Sequence, residues 1–115
     1  MSRHADKARI ENMLGYIDDI ETIITRHKGI PEALQDIEGE YALMMCLLQI
    51  GEILGKIETP AYKKKLPVKS SVGLRNLIAH DYEGIDLSLS QRILEEDIPA
   101  LKEVIEEIMD ENNTK

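Results

Sequence analysis

Apolar residues recur at three- and four-residue steps along nearly the whole chain, a period that lays a stripe on a helix face and does not fit the alternation of a strand. Ile10, Met13, Leu14, Ile17, Ile20, Ile23 and Ile24 form the first stripe. Gly29 followed by Pro31 is a stop signal. Pro31 can open a second helix, because a proline in the first turn forfeits no hydrogen bond. The second stripe runs through Leu34, Ile37, Tyr41, Met44, Met45 and Leu48 to Ile53, Leu54 and Ile57. Its centre is apolar on most sides, which predicts the most buried helix, ended by Pro60. Residues 60–70 read as a loop with two prolines. Ser70 or Ser71 is placed to cap a short third helix through Val72, Leu74, Leu77 and Ile78. Gly84, with Asp81 and Asp86 nearby, marks the next connection. Ser88 with Gln91 has capping-box spacing ahead of Leu89, Ile93 and Leu94. Pro99 follows Asp97 by two residues, so either Asp97 caps a restart or the helix kinks there. Leu101, Val104, Ile105, Ile108 and Met109 complete it, and the polar tail 111–115 is expected to fray. No internal repeat and no strand pair is visible. The expected architecture is an all-α, up-and-down bundle of four to five helices, forming one domain over residues 1–115.

Composition narrows the chemistry. Ile (16) and Leu (13) dominate the apolar content, while Phe and Trp are absent, so the core is aliphatic with five Met as adaptable filler. The net charge of −8 disfavours a protein that coats nucleic acid or membrane through bulk charge. One cysteine, Cys46, excludes an intrachain disulfide framework and a multi-thiolate zinc site, and its apolar setting predicts a buried small residue. The apolar stretch Tyr41 to Ile50 is far shorter than the ~18 residues of a membrane span. The first residues lack the apolar segment of a signal peptide. A soluble, cytoplasmic protein is expected. His4 and His27 have no partner at metal-ligand spacing and read as surface or helix-end residues; no metal or cofactor is expected. Gly51 and Gly55, four apart, suggest close approach of another helix, within the bundle or across a dimer.

The charge is unevenly spread. From Thr59 to His80 there is no acidic residue, yet Lys63, Lys64, Lys65, Lys69 and Arg75 are present, so this window is +5 and the remainder −13. A basic island on an acidic chain is a candidate phosphate-binding site, with Lys63, Lys64, Lys65 and Lys69 as backbone contacts. It ends in Arg75-Asn76-Leu77-Ile78-Ala79-His80-Asp81-Tyr82. A guanidinium forks onto phosphate oxygens. An imidazole both takes and gives a proton near neutral pH. Together they suit RNA cleavage without a metal: a base deprotonates the 2′-hydroxyl, an acid protonates the leaving 5′-oxygen, and a cation holds the non-bridging oxygens. Five residues apart, Arg75 and His80 differ by about 140° around an ideal helix. Asn76, four residues before His80, shares its face and can orient the imidazole. Either the helix ends or distorts near His80, or a second copy of the chain completes the site across a two-fold axis.

Arg75, His80 and Tyr82 match the R-x4-H-x-Y motif of the HEPN superfamily, in its HepT-like branch, which the chain resembles from about Ala5 to Met109. Leu48-Gln49-Ile50-Gly51-Glu52 is similar to the family's "IGE" stretch, Tyr82-Glu83-Gly84-Ile85-Asp86 to its "Y-x-x-[IV]-D" continuation, and Asp97-Ile98-Pro99-Ala100-Leu101 to its "D-[IL]-P-x-L" stretch. The resemblance implies a helical homodimer whose motif helices meet at a two-fold interface. It implies a toxin of a toxin–antitoxin pair that acts as a metal-independent endoribonuclease. Arg75 and His80 are then catalytic and Asn76 supporting. A nucleotidyltransferase antitoxin would neutralise the toxin by transferring AMP to Tyr82, adding bulk and negative charge where RNA phosphate must sit. Two features depart from the family pattern. Residues 66–70 lack the aromatic often found before the motif helix, and Asp81 beside His80 favours a charged imidazole while repelling phosphate. The same resemblance allows a non-catalytic HEPN adaptor that binds a nucleotidyltransferase partner or a nucleotide. A purely structural helical dimer with an incidental basic loop is the remaining alternative.

Overall fold

The apolar period becomes helix wherever the backbone is free to follow it. In the computed structural model, which describes residues 2–68, 73–74 and 87–113, the first helix, α1 (Ser2–His27), runs unbroken for 26 residues. Ile10, Met13, Ile17 and Ile20 from its stripe are buried, with Leu14, Ile23 and Ile24 packed at the edge of the core. It stops in a Schellman arrangement. Lys28 takes a left-handed φ of 67°, and Gly29 follows at φ 151°, a conformation that favours glycine. The Lys28 amide donates to the Thr25 carbonyl and the Gly29 amide to the Ile24 carbonyl, both at 3.1 Å.

The predicted single second helix is two. A short α2 (Ile30–Gln35), with Pro31 in its first turn, is cut from α3 (Ile37–Leu54) by Asp36, whose backbone is extended at φ −90°, ψ 132°. The Asp36 carboxylate accepts from the Gly39 amide at 2.9 Å and so caps α3. The break re-phases the helix. Leu43, Met44, Cys46, Leu47, Ile50 and Leu54 face the core, while Ile37, Tyr41 and Met45, expected in the buried stripe, are 67%, 59% and 54% exposed. Gly39 is required here, because a Cβ would lie 2.4 Å from the Ala33 carbonyl oxygen.

Further departures have local causes. Pro60 does not terminate α3, which ends at Leu54 and turns at Gly55. It opens α4 (Pro60–Lys65) inside the stretch expected to be loop, since a proline at a helix start is pre-set for helical φ. Near the C-terminus, α5 (Leu87–Arg92) contains the expected cap Ser88 among its helical residues and passes through a π-helical turn (Ile93–Asp97) into α6 (Ile98–Asn113). Asp97 therefore neither caps a restart nor marks a break. The Ile98 amide reaches back to the Ile93 carbonyl, and this widened turn makes room for the Pro99 ring, which would clash in a regular helix. Residues 111–113, expected to fray, are helical.

The result is an all-α bundle, as the periodicity predicts, with no strand among the described residues. α1 packs along α3 and against α2 and α6, and α2 contacts both α3 and α5. Lys102 on α6 donates to both carboxylate oxygens of Glu21 on α1, at 3.1 and 2.9 Å.

His27 ties the α1–α3 corner. Its Nδ1–H donates to the Ile23 carbonyl at 2.8 Å and its Nε2–H to Asp36 Oδ2 at 3.1 Å. Both neighbours are acceptors, so the arrangement needs both ring nitrogens protonated. The Ile23 carbonyl first and the Asp36 carboxylate second raise the His27 pKa above its ordinary value. Stability from this corner is therefore fully present below the ordinary histidine pKa and fades as pH rises through the raised one. Denaturation midpoints of wild type and His27→Gln should converge as pH is taken from 6 to 9; a gap that stays constant contradicts the assignment.

Candidate functional site

Six residues are too few for a helix to persist alone, yet α4 carries three of the candidate phosphate contacts. Its stability comes from three ties. At its start, the buried Asp6 carboxylate of α1 accepts from the Glu58 amide (3.0 Å), the Thr59 amide (2.6 Å) and the Thr59 hydroxyl (2.5 Å), all on Oδ2. Oδ1 accepts from Arg9 at 2.8 Å. Midway, Tyr62 is buried and its hydroxyl accepts from Asn112 Nδ2 of α6 at 3.2 Å. At its end, Lys65 Nζ donates to Glu111 Oε1 of α6 at 2.5 Å. Lys63, Lys64 and Lys65 occupy the last turn, where the helix dipole favours cations.

The basic island thus divides. Lys63 and Lys64 are exposed and form no ion pair among the described residues, whereas Lys65 is engaged by Glu111. Burial pushes the Asp6 carboxyl up, but the donors from Thr59, Arg9 and Glu58 outweigh it and bring its pKa down to about 2. Asp6 therefore stays ionised where most carboxyls have protonated.

Behind α4 lies an apolar cavity of about 360 Å³, walled by Leu54, Leu66, Leu74, Ile98 and Leu101, with Lys65 and Asp97 also on its lining. Leu74 is buried, and it immediately precedes Arg75 in sequence. Arg75, Asn76, His80 and Tyr82 lie outside the described residues, as do Lys69 and the proposed caps Ser70 and Ser71. Cys46 is buried on α3, and desolvation pushes its thiol up to about 11, which fits a packing residue and not a nucleophile. Gly51 is buried and Gly55 forms the exposed end of α3. No cluster of three or more His, Cys, Asp or Glu among the described residues is placed to hold a metal ion, and no described helix is long and apolar enough to cross a membrane.

Residues 13–108 match the family model "Ribonuclease HepT-like". The chain belongs to the HepT-like family. Three Methanocaldococcus jannaschii proteins, each named "Putative RNase", are similar over nearly their whole length. Two are 30% identical over 111 residues, covering 95% of this chain and 95% or 91% of the relative. The third is 32% identical over 108 residues, covering 92% of this chain and 98% of the relative. No solved structure matches. This agrees with the resemblance drawn from R-x4-H-x-Y and its three accompanying stretches.

In this HepT-like chain the motif points to Arg75 and His80, but nothing local in the sequence points to Asp6, Glu111 or Asn112. The one available signal was Thr59-Pro60, a helix-start pattern; taken as the end of the preceding helix, it left α4 expected as loop, and it says nothing of what holds α4.

Proposed function

We propose that this HepT-like chain is a metal-independent endoribonuclease and the toxin of a toxin–antitoxin pair. The observation that carries the reading is membership of a family described as ribonuclease, with matched residues 13–108 that include Arg75, Asn76, His80 and Tyr82. The named relatives and the exposed pair Lys63 and Lys64 support it.

In this reading Lys63, Lys64 and Lys69 hold phosphates flanking the scissile bond, and Lys65 joins them once RNA competes with Glu111. His80 removes the 2′-hydroxyl proton. The 2′-oxygen forms a bond to phosphorus, and the bond to the 5′-oxygen breaks as that oxygen takes a proton from imidazolium. The products are a 2′,3′-cyclic phosphate and a 5′-hydroxyl. Arg75 stabilises charge on the non-bridging oxygens, and Asn76 orients His80. The enzyme acts in the cytoplasm as a homodimer. The exposed face of α3 offers a surface for the second copy: Ile37, Tyr41 and Met45 recur every four residues, so an antiparallel two-fold at Tyr41 sets Ile37 of one copy against Met45 of the other. The antitoxin is a nucleotidyltransferase that transfers AMP from ATP to the Tyr82 hydroxyl, releasing pyrophosphate.

Purified protein incubated with RNA in excess EDTA should yield cyclic-phosphate ends, and DNA, lacking the 2′-hydroxyl, should stay intact. Equal cleavage by wild type, Arg75→Ala and His80→Ala would trace the activity to a contaminant and remove the proposal. RNA or nucleotide binding with no cleavage would favour the non-catalytic adaptor.

A further inference from the structure

We infer that Asp6 is a positioning residue for RNA binding: from α1 it fixes the pose of α4 and thereby sets Lys63 and Lys64 against the phosphate backbone. The inference rests on the ribonuclease reading only in taking RNA as the anion bound.

Four features of Asp6 and α4 carry it. First, Asp6 is fully buried, and a buried carboxylate is retained only when its lone pairs are taken. Here one oxygen collects three donors from two consecutive residues, Glu58 and Thr59, more than fifty positions away in sequence. Second, the Thr59 hydroxyl makes no cap to its own helix; it turns to Asp6. The start of α4 is therefore aimed by α1, which at 26 residues is the longest helix described. Third, the other ties of α4, Tyr62 to Asn112 and Lys65 to Glu111, both run to α6. The short helix is strung between two long ones, so its axis is determined by the bundle and not by its own propensity. Fourth, within this fixed segment the two cations with no ion pair among the described residues are adjacent, Lys63 and Lys64. A pre-set pair of cations binds a polyanion without the cost of ordering a loop.

Simple electrostatics makes the opposite prediction, which gives the test its force. Removing an acidic residue from a chain of net charge −8 should tighten RNA binding. If Asp6 positions α4, Asp6→Ala should weaken it. Asp6→Asn removes the same charge, but its amide oxygen can occupy the place of Oδ2 and keep all three donors, while the partly exposed Arg9 turns from the new NH2 group to solvent, so it should bind as wild type does.

The probe is a fluorescent single-stranded RNA, 2′-O-methylated throughout so that it cannot be cut, titrated by anisotropy over a salt series at a temperature where circular dichroism shows each variant folded. Lys63→Gln/Lys64→Gln, which removes the two cations outright, calibrates the scale. Its salt slope should fall by about 1.4, the value for two single-strand phosphate contacts. Asp6→Ala should lose at least half of what the double lysine variant loses on a logarithmic scale, with a slope reduced in the same direction, and Asp6→Asn should stay within about twofold of wild type. Asp6→Ala binding as tightly as wild type or tighter, while the lysine variant weakens, overturns the inference and leaves the ribonuclease reading standing. Asp6→Asn losing as much as Asp6→Ala also overturns it, because charge and not acceptor geometry would then matter. A lysine double variant that binds like wild type removes Lys63 and Lys64 from the interface, and the positioning role with them. Should Asp6→Ala fail to fold, Thr59→Val decides, since it deletes only the hydroxyl donor: weaker binding supports the inference and unchanged binding ends it.

Discussion

Replacing His80 with alanine should slow RNA cleavage by about 10²- to 10⁴-fold, the range over which a positioned general acid–base group contributes. Arg75→Ala should cost a comparable factor. Arg75→Lys should recover part of it, because an ammonium restores the charge but not the two-pronged contact with phosphate. Single-turnover rates on one RNA substrate measure all three. The same two inactive chains also decide how a site with Arg75 and His80 about 140° apart on an ideal helix is assembled. If each site takes its arginine from one copy and its histidine from the other, mixing unfolded Arg75→Ala and His80→Ala chains and refolding them makes mixed dimers. Each mixed dimer has one dead site and one intact site. Random pairing then restores about a quarter of wild-type activity for a two-fold dimer. If both groups come from the same chain, the mixture stays as inactive as its parts. A His80→Ala rate within about threefold of wild type would exclude His80 as acid or base.

What the sequence reveals and what it hides divide along one line. Features set by neighbours in the chain are readable. Ile10, Met13, Ile17 and Ile20 announce the buried face of α1 through spacing alone, and the residues they name are buried. The stop near Gly29, the helical start at Pro31 and the buried character of Cys46 follow from local chemistry in the same way. Asp36 breaks this rule because its cap sits in the middle of an apolar period that continues across it; Leu34 and Ile37 look like one stripe until the extended Asp36 backbone rotates the second half away. The π-helical turn before Pro99 is another case, since a widened turn and a kink both accommodate the same proline. Around the candidate site the limit is sharper. Residue types and order named Arg75, His80 and Tyr82 through family resemblance, and charge named the lysines. Which lysine is already engaged depended on Glu111, 46 residues further on, and what holds α4 depended on Asp6, 53 residues before Thr59. No periodicity encodes a contact of that separation.

Asp6 also governs the stability prediction with the largest expected effect. At neutral pH, Asp6→Ala should destabilise the fold by about 2–4 kcal/mol, because the buried amide and hydroxyl of Thr59 and the part-buried Glu58 amide lose their acceptor at once. The loss is pH-dependent with a fixed sign. In the folded chain the carboxyl titrates at about 2, and in the unfolded chain at about 3.9, so unfolding takes up a proton between these values. The stabilisation from the ionised carboxylate is whole above about pH 5 and is lost as pH falls towards 2, amounting to about 2–3 kcal/mol. Wild type should therefore weaken steeply over that interval. Asp6→Ala has no proton to take up at this position and should weaken less, so the two denaturation curves, well separated at pH 7, draw together near pH 2. Asp6→Asn should start closer to wild type and run parallel to the alanine variant as acid is added, since it too has nothing to titrate. A separation between wild type and Asp6→Ala that is the same at pH 2 and pH 7 would mean that the Asp6 carboxyl titrates alike in the folded and the unfolded chain. The three donors seen at its Oδ2 could not then be what holds α4 to α1.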